Sequence, residues 1–364
     1  MGNKGIIKVL SVIAFLAFMT ISCWATTESL HLLLPDWPIV IFWVITFGFF
    51  VLSAIGTKLI VDSLNTNVYT ANRGSKLVGG FVIMLLFWVV FSIPTNTHTF
   101  FYKSTIKDVL IQDLANTKAR LQDLNDDQTA ARLINADKNE FVANVDSKFK
   151  NFALEINDPK RPGWAECAEE RMIELENILG AKVQRVQLRN NWDEARQELI
   201  VLLGEHVEQL KQIKVKEKYD SRLENIAKHK NKKQIQENIK AITAIENKIK
   251  QHPENNDEPS VATNDVLTRS YALIGDYMDF LSKEFSNTTH KEELKTIQTN
   301  TEIYKSNITQ TAKMRSVIDV WKGLFQGDPI YKGRGLWFWV IVAIMVDVAG
   351  FIFFDIAFKK RETF

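Results

Sequence analysis

The sequence predicts an all-α membrane protein: four transmembrane helices, with a large helical, coiled-coil domain inserted between the third and the fourth. Three observations carry this. Four apolar runs are long enough to cross a hydrocarbon core, which takes about 20 residues. The chain between the third and fourth runs is dense in Lys, Glu, Asp, Asn and Gln, with apolar residues recurring at helical spacing. No segment shows the sustained two-residue alternation of a half-buried strand.

The spans are Ile6–Ala25, Pro38–Val61, Leu77–Thr95 and Leu336–Phe358. The first could be a secretory signal peptide, but its apolar run is longer than a signal core and no small-x-small site follows. It reads as a span. Thr20-Ile21-Ser22-Cys23 resembles a lipoprotein cleavage box, with Thr20 where leucine is usual. The chain has two cysteines, Cys23 and Cys167, too few for a disulfide framework, and two unpaired thiols are expected. Three regions follow: a three-span part over 1–102, a helical coiled-coil domain over 103–326, and a hinge, span and basic tail over 327–364.

Orientation comes from the basic residues. Lys4, Lys8, Arg73, Lys76, Lys359, Lys360 and Arg361 gather on one side, whereas the opposite loop, Thr26 to Trp37, has no Lys or Arg. The positive-inside rule puts both termini in the cytoplasm, so residues 98–335 are periplasmic or extracellular, in a chain of bacterial inner-membrane type. Trp24, Trp37, Trp337 and Trp339, with Phe100, Phe101 and Tyr102, fall at the outer boundary, where amphipathic rings form an interfacial belt.

In the polar domain, Leu110, Leu114, Leu121 and Leu124 have coiled-coil spacing. Asp158-Pro159 and Pro162-Gly163 break the helix, because proline clashes with the preceding turn. His252-Pro253 to Glu258-Pro259 is an exposed turn. The cleanest heptads follow: Leu267, Tyr271, Ile274, Met278, Leu281 and Phe285, then Leu294, Ile297, Thr301, Tyr304 and Ile308. A seam without an intramolecular mate needs another chain, which predicts a homo-oligomer or a membrane-complex partner. Gly327-Asp328-Pro329 and Gly333-Arg334-Gly335 form a hinge before the last span.

Little chemistry is legible. There is no P-loop, G-x-G-x-x-G, H-E-x-x-H or C-x-x-C motif. The six histidines are scattered; His206 reads as a seam residue, and Glu169-Glu170 as a solvated face. A net charge of +2, without a basic patch interleaved with aromatics, argues against a nucleic-acid partner. Neither enzymatic activity nor a cofactor or metal is expected.

One residue stands out. Asp347 lies midway between Leu336 and Phe358, about 16 Å along the helix from either end and so at the bilayer midplane. A carboxylate there costs several kcal/mol and faces a bundle interior or a wet cavity. Ala343 and Gly350 sit one turn away on its face as packing residues, and Thr46, Ser53 and Thr57 give the second span a matching stripe. Lys58 and Asp355, at comparable depth, are candidates for an ion pair. The simplest role for Asp347 is hydrogen-bonded packing; the alternative is an ion pathway.

Lys58-Leu59-Ile60-Val61-Asp62-Ser63-Leu64 at the end of the second span, Asp158-Pro159-Lys160-Arg161-Pro162-Gly163 before a mid-domain helix, and the acid-bearing last span carry a resemblance. In layout the chain resembles an uncharacterised bacterial family of four-pass proteins with a coiled-coil insertion before the last span. That resemblance implies no activity. The sequence therefore predicts a non-enzymatic membrane scaffold or sensor, docking partners through its coil; the alternative is an oligomeric channel or transporter-type component built around Asp347.

Overall fold

A computed structural model describes residues 3–65, 71–160, 163–186, 192–252, 259–286, 304, 308–328, 331 and 333–358. They are all-helical, with no strand among the described residues. The elements are α1 (Asn3–Leu33), α2 (Ile39–Leu64), α3 (Arg73–Leu86), α4 (Ile93–Asp126), α5 (Thr129–Ile156), α6 (Glu166–Leu179) and α7 (Trp192–Val215). There follow α8 (Ser221–Lys230), α9 (Lys232–Gln251), α10 (Val261–Glu284), α11 (Gln310–Lys313), α12 (Val317–Gln326) and α13 (Leu336–Phe358). π-Helical turns at Phe87–Ser92 and Lys216–Asp220 join α3 to α4 and α7 to α8 without a break. Four helical stretches are long and apolar enough to cross a membrane: α1, α2, the helix starting at Arg73, and α13.

The chain folds as two compact units. They do not follow the boundaries read from charge. α4 runs straight through residue 102, and the first unit takes in Met1–Lys118, Ala241–Arg269 and Ile308–Phe364. Polarity changes at 102; packing does not.

In the first unit, α13 lies along α1, and α2 lies along α3 and α1. These helices turn apolar side chains outward, Val44, Val90 and Met345 among them, as expected where the surrounding medium is itself apolar. α2 and α3 meet at Gly56 and Gly80. A Cβ on Gly80 would come within 2.9 Å of the Gly56 carbonyl oxygen, and one on Gly56 within 2.9 Å of Ile83 Cγ2. Small residues let apolar helices approach, and this pair is where they do so. Gly350 has no such duty, since a Cβ there would meet only Phe18, at 3.8 Å; Ala343 is fully buried, as packing requires.

Beyond the apolar helices a second core forms. Phe101, Tyr102, Ile106 and Val109 of α4 pack with Leu32, Met314, Val320, Leu324 and Tyr331. This corrects the aromatic belt: Trp24, Trp37 and Trp337 are exposed, but Phe101 and Tyr102 are buried beneath α12. Asp113, also buried, accepts from the backbone N–H and hydroxyl of Thr311, at 3.0 and 2.9 Å. Ser316 caps α12 by accepting from the Asp319 N–H. Gly327, at φ +76°, closes it in a left-handed conformation that side chains disfavour. The glycine-rich hinge is therefore in part a helix cap.

In the second unit (Ala119–Lys240 and Ser270–Asn307), α5, α6 and α7 enclose Phe152, Ile156, Met172, Leu175, Leu199 and Leu203. α5 ends at Ile156 and α6 starts at Glu166, so the Asp158-Pro159 break lies where the sequence put it. The Glu176 carboxylate is buried, and accepts from Arg185 Nη1 at 2.6 Å, the Val183 N–H at 2.8 Å and Lys182 Nζ at 3.1 Å. Arg185 also reaches Glu169 at 2.6 Å, and Glu169 accepts from the Trp164 indole at 2.6 Å. Glu169 is thus part of a built network; only Glu170 stays exposed. His206 is partly exposed, and its Nδ1 accepts from the Gln184 N–H at 3.0 Å, so it caps the segment after α6 and does not sit in a seam.

Leu267, Ile274 and Leu281 of α10 are all fully buried within the chain. The premise for a seam seeking a second chain therefore fails for α10. Ile308 is half exposed, and so lies off any buried seam. Leu294 and Ile297 lie outside the described residues, as do Arg161, Pro162, Lys332, residues 253–258 and the basic tail from Lys359.

Candidate functional site

The candidate site is the polar cluster around Asp347. It starts with a proline. Pro94 has no N–H to offer the Val90 carbonyl one turn back, and the π turn Phe87–Ser92 stands immediately before it. Such a turn re-aims the side chains around it, and here Ser92 and Asn96 point at α13.

Both oxygens of Asp347 are met. Ser22 of α1 donates to Oδ1 at 2.9 Å, Ser92 donates to Oδ2 at 2.7 Å, and Asn96 Nδ2 stands 3.4 Å from Oδ1. Asn96 Nδ2 also donates to the Ser22 hydroxyl at 2.7 Å and to the Ser92 hydroxyl at 3.0 Å. Each serine thus receives a hydrogen from Asn96 and passes its own to the acid. Asn96 Oδ1 accepts from Thr26 at 3.0 Å, and Thr26 stands 3.0 Å from the Thr95 hydroxyl.

The ladder continues along the same interface. Thr99 donates to the Ala25 carbonyl at 2.5 Å. His98 stands between Ser29, 2.8 Å from Nδ1, and the Met314 carbonyl, 2.9 Å from Nε2. A carbonyl only accepts, so Nε2 carries the hydrogen and Nδ1 accepts from Ser29. Ser22, Thr26, Ser29, Ser92, Asn96, His98 and Thr99 are all buried. A run of hydrogen-bonding side chains thus joins α1 to α4 from Asp347 to the end of the apolar zone.

The residues singled out in the sequence fall around this cluster unevenly. Asp347 is at its centre. Its partners come from α1 and the α3–α4 helix, because α13 packs along α1; the second-span stripe supplies none. Thr46 is buried with its hydroxyl unpartnered among the described residues. Ser53 and Thr57 direct their hydroxyls at Met84 Sδ, at 3.5 and 3.3 Å. Lys58 is exposed and Asp355 half-buried, and among the described residues no ion pair joins them. Cys23 is an unpaired thiol in mid-helix, buried against Phe50 and Phe87.

A cavity of about 50 Å³ opens beside Asp347. Ser22, Ser53, Thr57 and Asp347 line it together with Phe50 and Met84. No group of three His, Cys, Asp or Glu side chains among the described residues could hold a metal ion.

Ser22, Ser92 and Asn96 were missed in the sequence, although one signal for them exists. Ser22, Thr26 and Ser29, and likewise Ser92, Asn96 and Thr99, recur at i, i+4, i+7 within otherwise apolar helices. Two polar stripes of equal period are the signature of two helices zipped together. No protein-family model, no curated protein and no solved structure matches this chain.

Proposed function

We propose that the chain is a non-enzymatic integral membrane scaffold or sensor. In this reading the four apolar helices cross a bilayer with both termini in the cytoplasm. The polar helices between the third and fourth crossings lie outside and dock a partner. The four-pass layout of the resembled family is carried forward on the same features.

The observation that carries the reading is the continuity of the helix from Arg73 to Asp126. The helix that holds Ser92 and Asn96 against Asp347 leaves the apolar zone and becomes the first polar helix, without a loop between. A displacement of α4 outside is therefore felt at the acid, since a packed helix moves as a body. Docking would use outward faces, because the α10 seam is already filled; Leu154, Val201 and Ile213 are exposed apolar side chains on α5 and α7.

Two measurements test this. Full-length protein in mild detergent is weighed by mass photometry; an oligomer or a co-purifying membrane protein is expected, and a monodisperse monomer overturns the docking role. Cys167, in a Cys23→Ala background, should react with a membrane-impermeant maleimide in intact cells with a permeabilised outer membrane. A Cys167 that is protected in cells yet reactive in detergent overturns the orientation.

A further inference from the structure

We propose that Asp347, Ser53 and Thr57 form, across the cavity between them, a binding site for one sodium ion. The inference stands apart from the scaffold reading.

The geometry points to a ligand from both walls. On one wall, Ser22, Ser92 and Asn96 fix the Asp347 carboxylate through both of its oxygens, so a hard anionic ligand is held in place. On the other, the Ser53 and Thr57 hydroxyls spend their hydrogens on the thioether of Met84, a weak acceptor. Their oxygen lone pairs are left for the cavity that they line with Asp347. At about 50 Å³ that cavity exceeds the roughly 10–15 Å³ that one water needs.

Charge selects the ligand. Among the described residues, Asp347 is the only charged side chain lining the cavity. On α2, Lys58 lies next to Thr57 but is exposed; on α13, Asp355 lies outside the lining; on α1, Glu28 is paired with Lys103 at 2.7 Å. Arg73 and Lys76 sit in the first turn of α3, far along the helix from Met84. One negative charge in apolar surroundings is balanced by one positive charge, whereas a divalent ion would leave a charge uncompensated. A carboxylate and two hydroxyls, with no thiolate or imidazole among the described lining residues and the Met84 thioether engaged by the hydroxyls, favour a hard cation.

The test uses full-length protein in lipid nanodiscs and dicyclohexylcarbodiimide, which modifies protonated carboxyls in apolar surroundings; modification of Asp347 is read by peptide mass spectrometry. Asp347 should be modified. The modification should fall as sodium replaces potassium at fixed pH, because a bound sodium ion displaces the proton that the reaction needs. Ser53→Ala and Thr57→Val should each raise the sodium midpoint about tenfold, as the loss of one polar ligand implies. An Asp347 left unmodified in potassium across about pH 5 to 9, or modified without response to sodium, overturns the site. So do midpoints that coincide in wild type and both variants. If either variant misfolds, the sodium response of the wild-type protein still decides.

Discussion

Ser92 donates to the Asp347 carboxylate at 2.7 Å across 255 residues of sequence, and that bond closes the third apolar helix on the fourth. Ser92→Ala removes one donor from a buried acid, and Asn96→Leu removes the group that orients both serines. Hydrogen bonds inside apolar bundles average about 0.6 kcal/mol, with a maximum near 1.7 kcal/mol. The Ser92–Asp347 coupling, measured by a double-mutant cycle on thermal stability in detergent, should fall in that range. Asn96→Leu should cost more than Ser92→Ala. A coupling of zero would remove the tether between these helices.

The approach of α2 to α3 depends on Gly80. Gly80→Val places atoms against the Gly56 carbonyl and Ile60, a clash that backbone must yield to. A loss of about 1–3 kcal/mol is expected, as for an overpacked core. Gly48→Ala, at a site where nothing lies within 4 Å, is the control and should be neutral or slightly stabilising. Equal melting temperatures for the two variants would contradict the contact.

Acid should loosen the second unit at Glu176. Burial by itself raises the Glu176 carboxyl, but hydrogen bonds from Arg185, the Val183 N–H and Lys182 outweigh it and hold the group below the ordinary carboxylate range. A carboxylate depressed in the folded state contributes its stability above its unfolded value, near 4.5, and loses it as pH falls through the folded value. Stability should therefore decline below about pH 4.5, and Glu176→Gln should flatten that decline while lowering stability at neutral pH. Urea titrations of full-length protein at several pH values measure both.

Burial of the α10 seam separates two substitutions close in sequence. Ile274→Asp puts a charge among fully buried neighbours and should cost about 3–5 kcal/mol, or prevent folding. Lys283→Asp breaks only an exposed pair with Asp279 and should leave the melting temperature almost unchanged. Far-ultraviolet circular dichroism with thermal melts distinguishes the two. Because the seam is filled from within, Ile274→Asp should act by unfolding, not by dissociating subunits.

Much of this protein was written in local pattern. Long apolar runs force helices, because a backbone in an apolar medium must bond to itself, and these helices occur close to where the runs lie. Helix breaks followed proline and glycine at Asp158-Pro159 and Gly327, where backbone geometry is a local property. Asp347 announced itself by its cost. Its partners did not, because a hydroxyl in an apolar helix can bond its own carbonyl and attracts little notice; only their spacing, read on two helices at once, betrays them. What tertiary structure decided was which helix each polar face meets. The sequence aligned Asp347 with Ser53 and Thr57 by depth, and depth is a coordinate along the helix. Rotation about the axis and choice of neighbour arise from packing, where Gly56 meets Gly80 and a proline-linked π turn aims Ser92 and Asn96 inward. The same holds for Phe101 and Tyr102, whose composition suits a membrane surface and whose burial is set by α12 lying over them.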